Sequence, residues 1–319
     1  MDVAISDNKY DNSFKRRSKK LKWRLIAENY ELYLFLVPAL LYIIIFHYIP
    51  IYGIQLAFKK YMPLHGIWGS PWVGFQQFEM LFNSPSFWRL IRNTVWLSLY
   101  SLIAGFPLPI ILALLLQHLP NALFKKIVQM ISYAPHFISV VVIVGMINVL
   151  LAPNSGVINH LLAILGFERI YFMAKPEFFP SIYVWSGIWQ RLGFGSIIYM
   201  AALSGISQQV HEAAIVDGAN KLQRIWYIDI PGIIPTAIIL LILNAGNIMS
   251  VGFEKVLLMQ NPLNMSTAEV ISTYVYKVGL QGGRFEFGTA VGLFNSLVNA
   301  FLLVLVNQIA RSYSENTLL

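Results

Sequence analysis

Residues 209–231 read QVHEAAIVDGANKLQRIWYIDIP, a polar and charged stretch set between two long apolar runs. Its residues Val210, Ala213, Ala214 and Ile215 are spaced so that they share one face of a helix. Gly218 permits a turn through the left-handed region, after which KLQRIWYI starts a second short helix. Pro231 lacks an amide hydrogen, so this second helix is expected not to continue smoothly into the apolar run that follows. The stretch therefore predicts a helix–turn–helix tied at both ends to apolar segments. Such an element passes a push from a soluble partner to the helices it joins.

The surroundings are those of a membrane protein. Of the 319 residues, 57% are hydrophobic and 12% charged, against roughly 45–50% and about 25% in soluble domains. Six runs are long and apolar enough to cross the hydrocarbon core: 32–58, 93–117, 127–151, 181–204, 232–253 and 287–310. Only the fourth contains a charge, Arg191. Pro38 and Pro50 in the first run predict kinks rather than breaks. The fold class expected is all-α, with residues 32–310 as the transmembrane domain, the loop 205–231 inside it, and tails 1–31 and 311–319 outside the bilayer.

The formal charge is +8, and eight of the 23 Lys and Arg residues fall in the first 24 positions. A basic cluster just before an apolar run marks a cytoplasmic side facing anionic lipid. It is not interleaved with aromatic residues, so it does not indicate nucleic acid. Alternation then puts 205–231 and both termini in the cytoplasm and the loops 59–92, 152–180 and 254–286 outside. Thirteen Lys and Arg lie inside and nine outside, so the bias comes almost wholly from the tail. Within the first outer loop, FQQFEMLFNSPSFWRLIRN has helical apolar spacing and suits either an interfacial helix or a loop packed on its own protein. No cleaved leader is expected, because the apolar run after the basic stretch is too long for one. The absence of cysteine removes disulfides and thiolate metal sites, and no GxxxxGK[ST] phosphate loop is present.

Glu212-Ala213-Ala214, three residues, Gly218, nine residues, then Ile228-Asp229-Ile230-Pro231 resembles the EAA loop of binding-protein-dependent ABC importer permeases, and Asp217 and Ala219 complete its DGA. The stretches WVGFQQFEMLF, FWRLIRNTVWLSL, YAPHFISVVVIVGMI and SGIWQRLGFGSIIYMAALSGI are similar to the carbohydrate-uptake branch, in particular to permeases for oligosaccharides from complex polysaccharides. The resemblance implies a six-helix type I importer permease in a bacterial plasma membrane, itself non-catalytic. It implies as partners a homologous second permease, two ATPase subunits that carry the ATP and Mg, an extracytoplasmic solute-binding protein and an oligosaccharide. It assigns Glu212, Ala213, Ala214, Asp217, Gly218 and Pro231 to docking on the ATPase.

Polar residues within the spans are the substrate candidates, because such groups are costly in lipid. Arg191, with Trp185 and Trp189 nearby, offers an arginine fork for a carboxylate and aromatic faces for sugar rings, or else a structural ion pair. Tyr133 and His136 flank Pro135 in span three, where they either face a cavity or pack. Asn244, Asn247 and Ser250 recur every three residues in span five and suit either interhelical hydrogen bonds or a ligand. The resemblance to maltose permease puts Gly187, Arg191 and Phe194 on the sugar-lining face, His136 at a cavity position, and Asn247 and Ser250 at sugar contacts. Arginine and histidine leave both acidic (uronate) and neutral oligosaccharides open. An ABC importer of peptides or amino acids would share the loop, whereas a stand-alone secondary transporter would not need it. The spans hold no paired acids, metal-ligand cluster or nucleophile–base arrangement that would suggest an enzyme.

Overall fold

The computed structural model describes residues 29–311, so most of the basic N-terminal tail and the C-terminal tail beyond Arg311 lie outside the described residues. Among these, all regular structure is helical apart from one bridge between Lys59 and Trp72. The chain divides into two units, residues 1–55 and 56–319.

The first unit is built on α1, Tyr30–Phe58, whose last residues belong to the second unit. Pro50 does not end this helix, because a π-helical stretch at Ile44–Tyr48 precedes it and shifts the hydrogen-bond register. Proline then occupies a first-turn position, where no amide donor is required.

In the second unit, α2 (Gln76–Phe82) buries Phe78 and Leu81 against the unit's own helices. One face of the segment thus packs on its own protein, while Phe75, Met80 and Phe82 remain exposed. α3 (Phe87–Gln117) starts six residues before the expected span, so Phe87–Arg92 belongs to a membrane helix rather than to a loop. Span three is broken into α4 (Ala122–Phe137) and α5 (Val140–Leu150), bent by 100°. The bend follows from chemistry at the break: Pro135 sits in a 3-10 turn, Ile138 is extended, and the Ser139 hydroxyl caps α5 by accepting from Val142 N. After α6 (Val157–Ile164) comes α7 (Phe179–Ser204), a 26-residue helix that packs on α3, on α4 and on the helix of span five.

Past α7 lies α8 (Gln208–Val216), followed by α9 (Lys221–Ala245), α10 (Phe253–Met259), α11 (271–281) and α12 (Phe285–Arg311). The expected break before Pro231 is absent, since α9 runs unbroken from Lys221 through Pro231. A π-helical stretch at Ile225–Asp229 absorbs the proline as its counterpart does in α1. At its far end α9 stops at Ala245, short of the expected 253, so Asn247 and Ser250 lie in a turn beyond the helix.

By length and apolarity α1, α3, α9 and α12 qualify as spans, and the bent α4–α5 pair makes a fifth. α7 is long enough to cross but carries the polar residues of the site. Four apolar clusters hold the second unit, and α7 joins two of them. Phe179, Tyr183 and Val184 pack with Leu97, Ile143 and Val256 at one end, while Tyr199 and Leu203 pack with Leu114 and Ile233 at the other. Burying each such side chain stabilises the packing by about 1.5–3 kcal/mol where the alternative is water.

Candidate substrate cavity and coupling loop

Beside α7 lies a cavity of about 450 Å³ bounded by α3, α7, the end of α9 and the turn after it. Of the substrate candidates, Arg191, Asn244, Asn247 and Ser250 line it, and the other polar side chains on its wall are Ser98, Ser101, Tyr183 and Tyr199. Asn244 and Asn247 donate to the Leu240 and Leu243 carbonyls of their own segment at 2.8 and 2.9 Å, leaving their amide oxygens as acceptors. Ser250 Oγ accepts from Asn299 of α12 at 2.9 Å, which ties the turn to span six. Small wall residues and a few fixed polar groups suit a hydroxyl-rich ligand.

The remaining candidates lie elsewhere. His136 stacks flat on Phe194, ring centroids 3.9 Å apart, while the Tyr133 hydroxyl lies 3.6 Å from Met200 Sδ. Both contacts join α4 to α7. Trp189 is exposed and does not line the cavity, and Trp185 donates to the Tyr100 hydroxyl at 3.0 Å.

Sequence reasoning missed Lys255, because it counted this residue in an outer loop. Lys255 on α10 is 5% exposed, donates to the Tyr183 carbonyl at 3.0 Å and sits 5.0 Å over that ring. A Cβ placed on Gly187 would lie 3.3 Å from both Lys255 Nζ and Arg191 Nη2. Two cations thus share the gap that glycine leaves. Burial, helped by the nearby Arg191 guanidinium, pushes the Lys255 ammonium down to about 7.

Residues 207–231 form the predicted helix–turn–helix. Gly218, at φ 83°, follows α8 in the left-handed region, and Ala219 N returns to the Ala214 carbonyl at 2.8 Å. Asn220 opens α9 with a capping box to Gln223. Glu212, Ala213, Asp217, Gly218 and Pro231 are exposed and Ala214 is half-buried, with Glu212 held by Gln208 at 3.0 Å. Val216, Leu222, Trp226 and Tyr227 are also exposed, an apolar rim around the acidic group.

Behind this surface is a second feature that spacing alone did not reveal. Asp229, 1% exposed, lies 2.6 Å from His118 Nε2 at the end of α3 and 3.4 Å from His211 Nε2 on α8. His211 lies 18 residues and His118 111 residues before Asp229 in sequence, so only the fold brings the three together. The buried aspartate ties the loop to spans two and five. No group of three or more metal-ligating side chains occurs among the described residues.

An all-helical, multi-pass membrane protein with a polar cavity along its central helix and an exposed helix–turn–helix joined to its spans is a transport subunit. The chain belongs to the family described as the binding-protein-dependent transport system inner membrane component, which matches residues 105–315. It is 42% identical over 301 residues to the polygalacturonan/rhamnogalacturonan transport system permease protein YteP of Bacillus subtilis (strain 168), with 94% of each chain covered. To protein LplB of the same organism it is 43% identical, covering 94% of this chain and 95% of that one. A chain in the crystal structure of a bacterial alginate ABC transporter, in complex with an alginate pentasaccharide-bound periplasmic protein, matches with TM-score 0.85 at 41% identity. That match covers 93% of this chain and 99% of the other.

Proposed function

We propose that this chain is the permease subunit of an ATP-driven importer that moves acidic oligosaccharides across a bacterial plasma membrane. The observation that carries the reading is the cavity, whose wall combines Arg191 with amide, hydroxyl and backbone groups and has the Lys255 ammonium directly behind its Gly187. Hydroxyls would be held by Asn244, Asn247 and Ser250, and a carboxylate by the cations. The named cargoes of the relatives, polygalacturonan or rhamnogalacturonan and alginate, support this choice because uronate residues carry such carboxylates.

Both termini and the loop 205–231 face the cytoplasm. There Glu212 and the apolar rim dock into a cleft of an ATPase subunit, which holds the ATP and Mg; this chain needs no cofactor of its own. A second, homologous permease completes the pathway, and an extracytoplasmic binding protein delivers the sugar to the outer loops. ATP binding closes the ATPases, α8 moves with them, and the buried Asp229 contacts pass that motion to α3 and α9. The cavity is thereby exposed alternately to the two sides.

Uptake in proteoliposomes tests the reading. The complete complex with its binding protein is expected to accumulate a labelled uronate trisaccharide only when ATP is enclosed with the ATPases. Accumulation of peptides but not of oligosaccharides would overturn it.

A further inference from the structure

Lys255 presents a problem that its own helix does not solve. Burying an ammonium costs several kcal/mol unless an opposite charge or a set of acceptors compensates. Here the compensation is one carbonyl, that of Tyr183, and the face of one aromatic ring. Across the Gly187 gap lies a second positive group, Arg191, which raises the cost. Among the described residues the carboxylates in ion pairs are Glu269, bound to Arg89 and Lys277, and Asp229, bound to two histidines. None of them reaches Lys255 or Arg191. Among the described residues, these two like charges meet beside Gly187 of the cavity wall with no ion-paired carboxylate between them.

We infer that Lys255 and Arg191 form a two-cation clamp that holds a single carboxylate of the cargo across the gap at Gly187, and that this clamp sets the preference for acidic over neutral sugars. The arrangement divides the work. Arg191, open to the cavity, presents its planar fork to the carboxylate, while Lys255 supplies a point charge from behind. Gly187 contributes by having no side chain: a methyl there would touch both nitrogens and fill the space the anion needs. Two hydrogen-bonding faces of one carboxylate are thereby met from two elements, α7 and α10. Because α10 lies beyond the end of span five, closing or opening that segment would remove one half of the clamp and weaken the hold on the anion.

The inference rests on reading the cavity as the cargo site, and the test separates the two. The complete importer complex is placed in nanodiscs, and equilibrium dialysis gives Kd for a galacturonate trisaccharide and for its carboxyl-reduced, neutral counterpart. The ratio of the two values does not depend on how much complex is active. In the wild type the acidic sugar is expected to bind at least about tenfold more tightly, and Lys255→Met to reduce that advantage about tenfold. Should Lys255→Met not assemble, Arg191→Gln, at an open position of the same clamp, is expected to produce the same loss. An unchanged ratio in the variants would overturn the inference. A wild type that binds both sugars equally overturns the clamp and leaves the oligosaccharide reading standing. A wild type that binds neither removes the cargo site itself, and the clamp with it.

Discussion

Gly187 shows how a single residue shapes the site through what it lacks. The space beside it is bounded by two basic nitrogens at equal distance, and burial together with the Arg191 charge pushes the Lys255 ammonium down to about 7. The sign of the resulting pH dependence follows. Lys255 is charged below about pH 7, and a bound carboxylate favours the charged form. Affinity for an acidic sugar is therefore full below pH 7 and falls as pH rises above it, by up to tenfold per unit until the pKa of the occupied site is reached. The groups facing Lys255 are Tyr183 and Arg191 from α7; Glu254 is its charged neighbour on α10, Tyr276 of α11 packs on Phe253 of that helix, and α5 carries no titratable residue. Kd of the acidic trisaccharide measured from pH 6 to 9 should follow this course, with the neutral counterpart flat. A flat profile for both would show that Lys255 does not meet the carboxylate. At this scale Arg191 was legible because an isolated charge in an apolar run stands out. Lys255 was not, because nothing in a loop sequence says which lysine folds back against a helix.

Elements were legible where apolarity and turn chemistry agreed, and misread where proline was involved. The Gly218 turn follows from a residue that alone accepts its backbone angles freely, and α8 ends where the sequence predicts. Pro231 was expected to interrupt the chain, yet α1 and α9 both carry a proline directly after a π-helical stretch. The extra residue in that stretch changes the hydrogen-bond register, so the missing donor falls where a helix start would leave one unused. In α9 the consequence is functional. The unbroken helix makes Asp229 part of a rigid rod reaching from the coupling turn to the cavity rim, instead of part of a flexible joint. Asp229 also anchors that rod to α3 and α8 through His118 and His211. Replacing it by asparagine weakens a charge-assisted contact contributing about 1.5–3 kcal/mol and loosens the link between loop and spans. Asp229→Asn is expected to raise the ATP hydrolysed per sugar imported by about threefold or more, a size typical of coupling energies. A ratio equal to wild type would show that the buried contact is structural and carries no motion.

For the whole molecule, the sequence divides the labour and the fold connects the divided parts. Apolar runs state that the chain lies in a bilayer, and the spacing in residues 209–231 predicts a helix–turn–helix; the helices observed agree with both. The cavity was only half legible. Arg191, Asn244, Asn247 and Ser250 converge on it, whereas Tyr133, His136, Trp189 and Phe194 lie outside its wall, His136 being stacked on Phe194. Periodicity could not have separated these groups. Span three bends by 100° at Pro135–Ser139 and span five ends early, so positions counted along straight helices drift away from the places they occupy in space. The central claim remains that transport through this cavity is driven from another chain through the exposed loop. Its most direct test is uptake of a uronate trisaccharide by reconstituted complex carrying Glu212→Arg, measured together with ATP hydrolysis. Charge reversal on the docking face is expected to cut ATP-dependent uptake at least about tenfold. Uptake that survives Glu212→Arg and follows an imposed ion gradient instead of ATP would contradict the account.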